Sequence, residues 1–271
     1  MRTTQIGGID VSRLVVGGNP FSGFSHQSPE RDRQMREYFT TDRICEFLHA
    51  AAAAGINTAF MRTDEHILGV LRQYRAQAGT IQWFAQVVYE PDDPGVHREW
   101  IRRAGEMGAA GMYLHGGATD YWVATGQFEL FDEALELMRS WHVPAGFAGH
   151  RADAHAYVRD HVRPDFQMCC HYNPTDRSSN PAHSNVGEKW SVDDRAAMLE
   201  VIATLPCPAV HYKVFAGGNR PVDEAFDTLS RCVRDGDVVC IGVFPGDDPD
   251  LLAKDIALFD KHVEHTTPEE A

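Results

Sequence analysis

The 271-residue chain is short of positive charge. It carries 25 Lys+Arg against 39 Asp+Glu, a formal net charge of −14. A chain this acidic has no overall attraction for nucleic acid or an anionic membrane surface. Long apolar runs are missing too, and none reaches the roughly 18 residues that a membrane helix needs. The N-terminal stretch MRTTQIGGIDVSRLVV lacks the apolar core and small-residue cleavage site of a secretory signal. Cysteine is sparse, with 6 residues and no CxxC spacing, which excludes a disulfide framework and suits free thiols in a reducing cytoplasm. The first strand–helix turn, GGNPFSGFSHQSPE, has no GxGxxG dinucleotide fingerprint.

What is present is a repeated alternation. Apolar runs at Leu14–Gly17, Thr58–Met61, Ile81–Val88, Gly111–Leu114, Ala145–Ala148, Phe166–Cys170, Ala209–Val214 and Val238–Gly242 are each followed by a helical pattern. Strands that alternate with helices pair in parallel through right-handed crossovers. Eight such units in this length predict a (β/α)8 barrel, one α/β domain over residues 1–271. Two long segments, 18–40 and 171–191, are expected to lie as loops over the barrel mouth.

Barrel enzymes place their chemistry where strands end and βα loops begin. The residues there include Asn19, Asn57, Arg62, Gln86, Glu90, His115, His150, His171, Asn173, His211 and Lys213. Four of the 14 histidines thus fall at the ends of four consecutive strands. Imidazoles converging on one mouth repel one another when protonated, and a divalent cation (Zn, Mn or Fe) would hold them neutral. His150, His171, His211 and Glu90 are therefore the expected metal ligands. His211 and Lys213, two apart on one strand, are expected to share a face. Lys213, His115 and Arg62 are the expected catalytic groups, with Lys213 as acid/base or enolate-stabilising cation and, behind these, as a Schiff-base former. Asn19, Asn57, Gln86, Asn173 and Trp190 are the expected substrate contacts. The flanking Asp247, Asp248 and Asp250 argue against a phosphate site after the last strand.

The segments GGIDVSRLVVGGNPFSG, AAAAGINTAFMRTDEHILGVL, GMYLHGG and VVCIGVFPGDDPDLLAKDI resemble the aldo-keto reductase family in order and spacing. The resemblance implies a (β/α)8 barrel that binds NADPH without a Rossmann motif and a tetrad of Asp, Tyr, Lys and His. Only the His is matched, by His115. Asn57 stands for the Asp, Arg62 or a neighbour for the Tyr, and Gln86 or a neighbour for the Lys. GHR replaces the family's Ser-Asn after strand 5, and GDDPD replaces the basic residues that hold the 2′-phosphate. Without the Tyr–Lys pair, hydride transfer loses its general acid.

The expectation is a cytoplasmic, metal-dependent lyase, isomerase or hydrolase that acts on a polar, carbohydrate-like small molecule. An NAD(P)H-dependent reductase with an altered proton donor and a non-catalytic ligand-binding barrel are the alternatives. Oligomeric state is not readable, since the apolar helix faces suit a monomer as well as a dimer.

Overall fold

In the computed structural model, which describes residues 1–90, 93, 95–174 and 188–264, eight parallel strands close into a barrel. They are β3 (Leu14–Gly17), β4 (Thr58–Arg62), β5 (Gln82–Val87), β6 (Gly111–Leu114), β7 (Ala145–Gly149), β8 (Phe166–Cys170), β9 (Ala209–Tyr212) and β10 (Val238–Ile241). Pairing of β10 with both β9 and β3 completes the ring. An antiparallel hairpin, β1 (Thr3–Ile6) and β2 (Ile9–Ser12), precedes it. The helices are α1 (Pro29–Tyr38), α2 (Thr41–Ala53), α3 (Glu65–Ala76), α4 (Val96–Glu106), α5 (Gly116–Thr125), α6 (Glu129–Arg139), α7 (Ala152–His161), α8 (Val192–Ala203), α9 (Val222–Cys232) and α10 (Leu251–Phe259).

Two helices were not expected. Residues 18–40 are not a bare loop but hold α1, capped by Ser28, whose side chain accepts from the Arg31 N–H. Segment 116–125, placed in no element by sequence, forms α5, with His115 as its N-cap. Most of the second expected loop, 175–187, lies outside the described residues.

The strand period of two sorts the side chains. Val15, Phe60, Phe84, Tyr113, Ala148, Phe166, Met168, Cys170, Val210, Tyr212, Val238 and Cys240 pack together inside the barrel. Their neighbours Val16, Ala59, Ala85, Leu114 and Phe147 face the helix layer. Phe60 sits at the centre of the interior, with ring centroids 4.9 Å from Phe84, 5.5 Å from Tyr113 and 6.1 Å from Phe166. Ile6 and Val11 of the hairpin join this cluster and plug the end where the strands begin. All six cysteines are free.

Asn57 belongs to that closed end, not to the mouth, because it precedes β4 rather than following it. Its Oδ1 accepts from the Ser12 N–H at 2.7 Å and its Nδ2 donates to the Asp10 carbonyl at 3.0 Å. The expected substrate contact is therefore a latch between hairpin and barrel. Asn57→Ala should lower unfolding free energy by about 1–3 kcal/mol, the cost of stranding these partners. Urea denaturation would measure the loss, and turnover per folded molecule should be unchanged.

Candidate active site

Above the aromatic layer β4, β5, β6 and β7 each lead to one more inward residue. Arg62 follows Phe60, Gln86 follows Phe84, His115 follows Tyr113 and His150 follows Ala148, each two positions on. These four line a cavity of about 760 Å³ at the barrel mouth. Asn19, His26 and Phe24 from the loop after β3 also line it, as do Tyr212 and Lys213 from β9 and its end.

The best-defined polar feature is a row of three side chains. His150 Nδ1 lies 2.8 Å from Asp120 Oδ2, and Lys213 Nζ lies 3.1 Å from His150 Nε2. Asp120, on α5, is fully buried and also accepts the His150 and Arg151 N–H groups at 3.0 and 3.2 Å. A carboxylate behind Nδ1 fixes the tautomer: Nδ1 keeps its proton and Nε2 accepts from Lys213. Gly116 makes room for this ring, since a Cβ there would come within 2.8 Å of His150 Cε1. Burial lowers the pKa of Lys213, opposed by the neighbouring Cys170 and Asp120.

Two further imidazoles border the row. His115 Nδ1 accepts from the Gly117 N–H at 3.2 Å, which leaves Nε2 as the N–H side. Its ring centroid is 6.4 Å from that of His150. His26 is pushed down to about 2, first by burial and then by the Lys213 and His150 charges, so it stands neutral. It occupies a left-handed backbone position, φ 58°, between Ser25 and Gln27. Asp32 holds Ser25, and Gln27 donates to the Gly217 carbonyl at 2.7 Å. Sequence reasoning missed His26 and Asp120. The first sits in the segment already expected over the mouth, and the second is an acidic residue in an otherwise apolar run, GGATDYWVA.

The other expected residues divide by strand parity. Cys170 and Tyr212 point inward, so His171 and His211 point outward, and neither lines the cavity. They are buried behind the wall instead, with His171 Nε2 2.9 Å from His211 Nδ1 and His211 Nε2 3.2 Å from Asp237 Oδ2. Burial pushes Asp237 up, but its bonds to His211 and Arg234 outweigh that and hold it well below the usual aspartate range. Lys213 does not share a face with His211, because the strand ends at Tyr212 and Lys213 takes φ 53°, which turns its side chain back into the mouth. Glu90 is exposed, bridged to Asp93 and absent from the cavity wall. Asn173 is buried, and its carbonyl accepts the Trp190 N–H at 2.9 Å. Trp190 does not line the cavity but packs edge-on to His26 at 6.3 Å. Arg62 is half-buried, 3.3 Å from Asp64 and 4.9 Å from the Phe24 ring.

The expected metal set of His150, His171, His211 and Glu90 is thus not brought together. At the mouth, Lys213 Nζ occupies the lone-pair side of His150 Nε2, where a cation would bind. The donor atoms of His171, His211 and Cys232 do lie within 4.8 Å of one another, away from the mouth. Past Gly242 the cavity is bordered by Asp247, Asp248 and Asp255; Arg31 is paired with Asp247 and lies over the Phe244 ring, and Lys254 is paired with Asp248.

No known family model and no curated protein matches the chain. Solved structures do. An aldo-keto reductase from Bacillus halodurans, in its holo form, superposes with a TM-score of 0.60 at 14% identity, covering 100% of this chain and 93% of that one. A phospho-2-dehydro-3-deoxyheptonate aldolase from Thermotoga maritima gives 0.58 at 11% identity, covering 96% and 72%. An N-acetylmannosamine-6-phosphate 2-epimerase from Clostridium perfringens gives 0.53 at 10% identity, covering 90% and 93%. The likeness is one of fold: an aldo-keto-reductase-like (β/α)8 barrel.

Asp255 offers a test of this cavity's electrostatics. It is 3% exposed and has no hydrogen-bonding or ionic partner among the described residues, and burial alone raises its pKa to about 7. Between about pH 4 and 7 the unfolded chain ionises this group while the folded chain keeps it protonated, so stability falls across that window and is flat above it. The full penalty is on the order of 4 kcal/mol. Asp255→Asn should therefore be more stable than wild type at about pH 8, with the gap closing toward about pH 4, as read from urea midpoints.

Proposed function

We propose that the barrel is an enzyme of lyase or isomerase type that moves protons on a polar, carbohydrate-like carbonyl compound. The observation that carries this reading is the Asp120–His150–Lys213 row, aimed into the cavity from behind β7 and β9. An imidazole held in one tautomer by a buried carboxylate, with an amine on its other nitrogen, is a proton-handling unit. The amine is the member nearest the ligand space, and its desolvation brings its proton affinity toward the working range.

Beside the row the Nε2–H side of His115, and farther round the wall Arg62, supply donors for an oxygen that gains negative charge as a neighbouring C–H ionises. Gln86 and Asn19 add neutral hydrogen-bonding groups suited to hydroxyls. An epimerase of an amino-sugar phosphate and an aldolase stand among the barrels of similar fold, and both names imply chemistry beside a carbonyl. The metal expected from sequence is not part of this proposal, because its ligands face different compartments. Reductase chemistry is the second reading, since the resemblance puts Arg62 or a neighbour and Gln86 or a neighbour where that reaction needs a Tyr–Lys pair.

Incubation in D2O with three- to six-carbon polyhydroxy aldehydes and ketones, followed by proton NMR, tests the assignment. At least one compound should exchange the hydrogen beside its carbonyl or eliminate water. Lys213→Ala and Asp120→Asn should slow this by roughly 10²–10⁴-fold, the range of a lost acid–base group. Exchange at the wild-type rate in Lys213→Ala would sink the proposal. So would NADPH oxidation by the same carbonyl compounds in place of exchange.

A further inference from the structure

We propose that Lys213 is a nucleophile and carries the substrate as a covalent imine, which makes the ligand an open-chain aldehyde or ketone. This rests on the reading of the mouth as a carbonyl-processing site and goes further in assigning the bond that forms. The geometry has three parts. A nucleophile, a base within hydrogen-bond reach and a group that orients the base are the recurring signature of covalent catalysis. Lys213 Nζ, His150 and Asp120 stand in that order, at 3.1 and 2.8 Å.

The second part is the lysine's company. No carboxylate lies within ion-pair reach of Nζ among the described residues; Nζ meets the His150 nitrogen and the Tyr212 ring face, 4.8 Å away, with Asp120 behind His150 and the Cys170 and Cys240 thiols nearby. A lysine whose task was to anchor a salt bridge would have an acid beside it. Here the hydrogen bond to an imidazole lone pair is compatible with a free amine. The third part is the backbone. Lys213 is a non-glycine residue at φ 53°, and Ala216 at φ 50° follows in the same turn. Left-handed positions of this kind cost free energy and persist where the surroundings impose them. Without this one the side chain would follow His211 to the outer wall.

The step balances without a cofactor or an oxidant. The Nζ lone pair forms an N–C bond to the carbonyl carbon, and the C=O π pair moves to oxygen. The surplus N–H proton passes to His150 Nε2 and from there to that oxygen, which gives a neutral carbinolamine. The remaining N–H proton travels the same way to the hydroxyl, which leaves as water as the nitrogen lone pair closes a C=N bond. Hydrolysis by one water later restores the amine and the carbonyl. While the imine stands, its protonated form acidifies the adjacent C–H, the bond that the proposed reaction breaks.

The test is reductive trapping with dihydroxyacetone and sodium cyanoborohydride, followed by peptide mapping. The chain has four lysines, Lys189, Lys213, Lys254 and Lys261, so each adduct is located without ambiguity. Lys213 should label at least about tenfold faster than Lys261 in the same molecules, as an activated amine does. Asp120→Asn should erase that advantage while Lys261 labels as before. Equal labelling of Lys213 and Lys261 in folded wild-type protein would overturn the imine. If solvent exchange beside the carbonyl still required Lys213, only the covalent step would fall and the acid–base assignment would stand. Loss of both would remove the two together.

Discussion

The site depends on one buried carboxylate. Asp120 has lost all contact with bulk water, and an ionised carboxylate without compensation would be expensive there. It is compensated by N–H groups of two successive backbone positions and by His150 Nδ1. These bonds tie α5 to the end of β7 and at the same time set the imidazole's tautomer. Structure and chemistry are therefore not separable at this residue. The bond that keeps Asp120 tolerable inside the protein is the bond that presents a lone pair to Lys213.

Strand parity then decides which other groups reach the mouth. It makes part of the site legible from sequence. In β6 and β7 the apolar run ends in phase, so His115 and His150 fall on the inward face. In β8 and β9 the runs end one residue out of phase, and His171 and His211 turn outward to pair with each other and Asp237. Counting strand ends without counting parity merges two sets of histidines into one. Lys213 is the opposite case, for parity would send it outward and a single positive φ brings it back. No propensity argument marks a lysine for that backbone region: its place at the mouth follows from the strand-end rule, while its turning away from the His211 face is not readable from sequence.

The barrel itself was readable, because eight strand–helix repeats are a long-range regularity that local errors do not destroy. The two helices that went unseen had less to show. α1 is strongly polar, PERDRQMREY, and α5 is apolar nearly all round, GGATDYWVAT, so neither carries a one-sided apolar stripe. The α5 omission mattered most for function, since Asp120 lies on it. Asn57 stands at the entrance of β4 and not at its exit, so the strand-end rule does not apply to it.

Two aspartates show how this molecule treats buried charge. Asp120 is surrounded by donors and organises the mouth, whereas Asp255 faces the same cavity from α10 with no polar partner among the described residues. The second arrangement carries a cost that the fold does not need, because an apolar residue on that helix face would pack at no electrostatic expense. Below about pH 7 Asp255 stands protonated on the cavity wall, while the rim aspartates Asp247 and Asp248 are paired with Arg31 and Lys254.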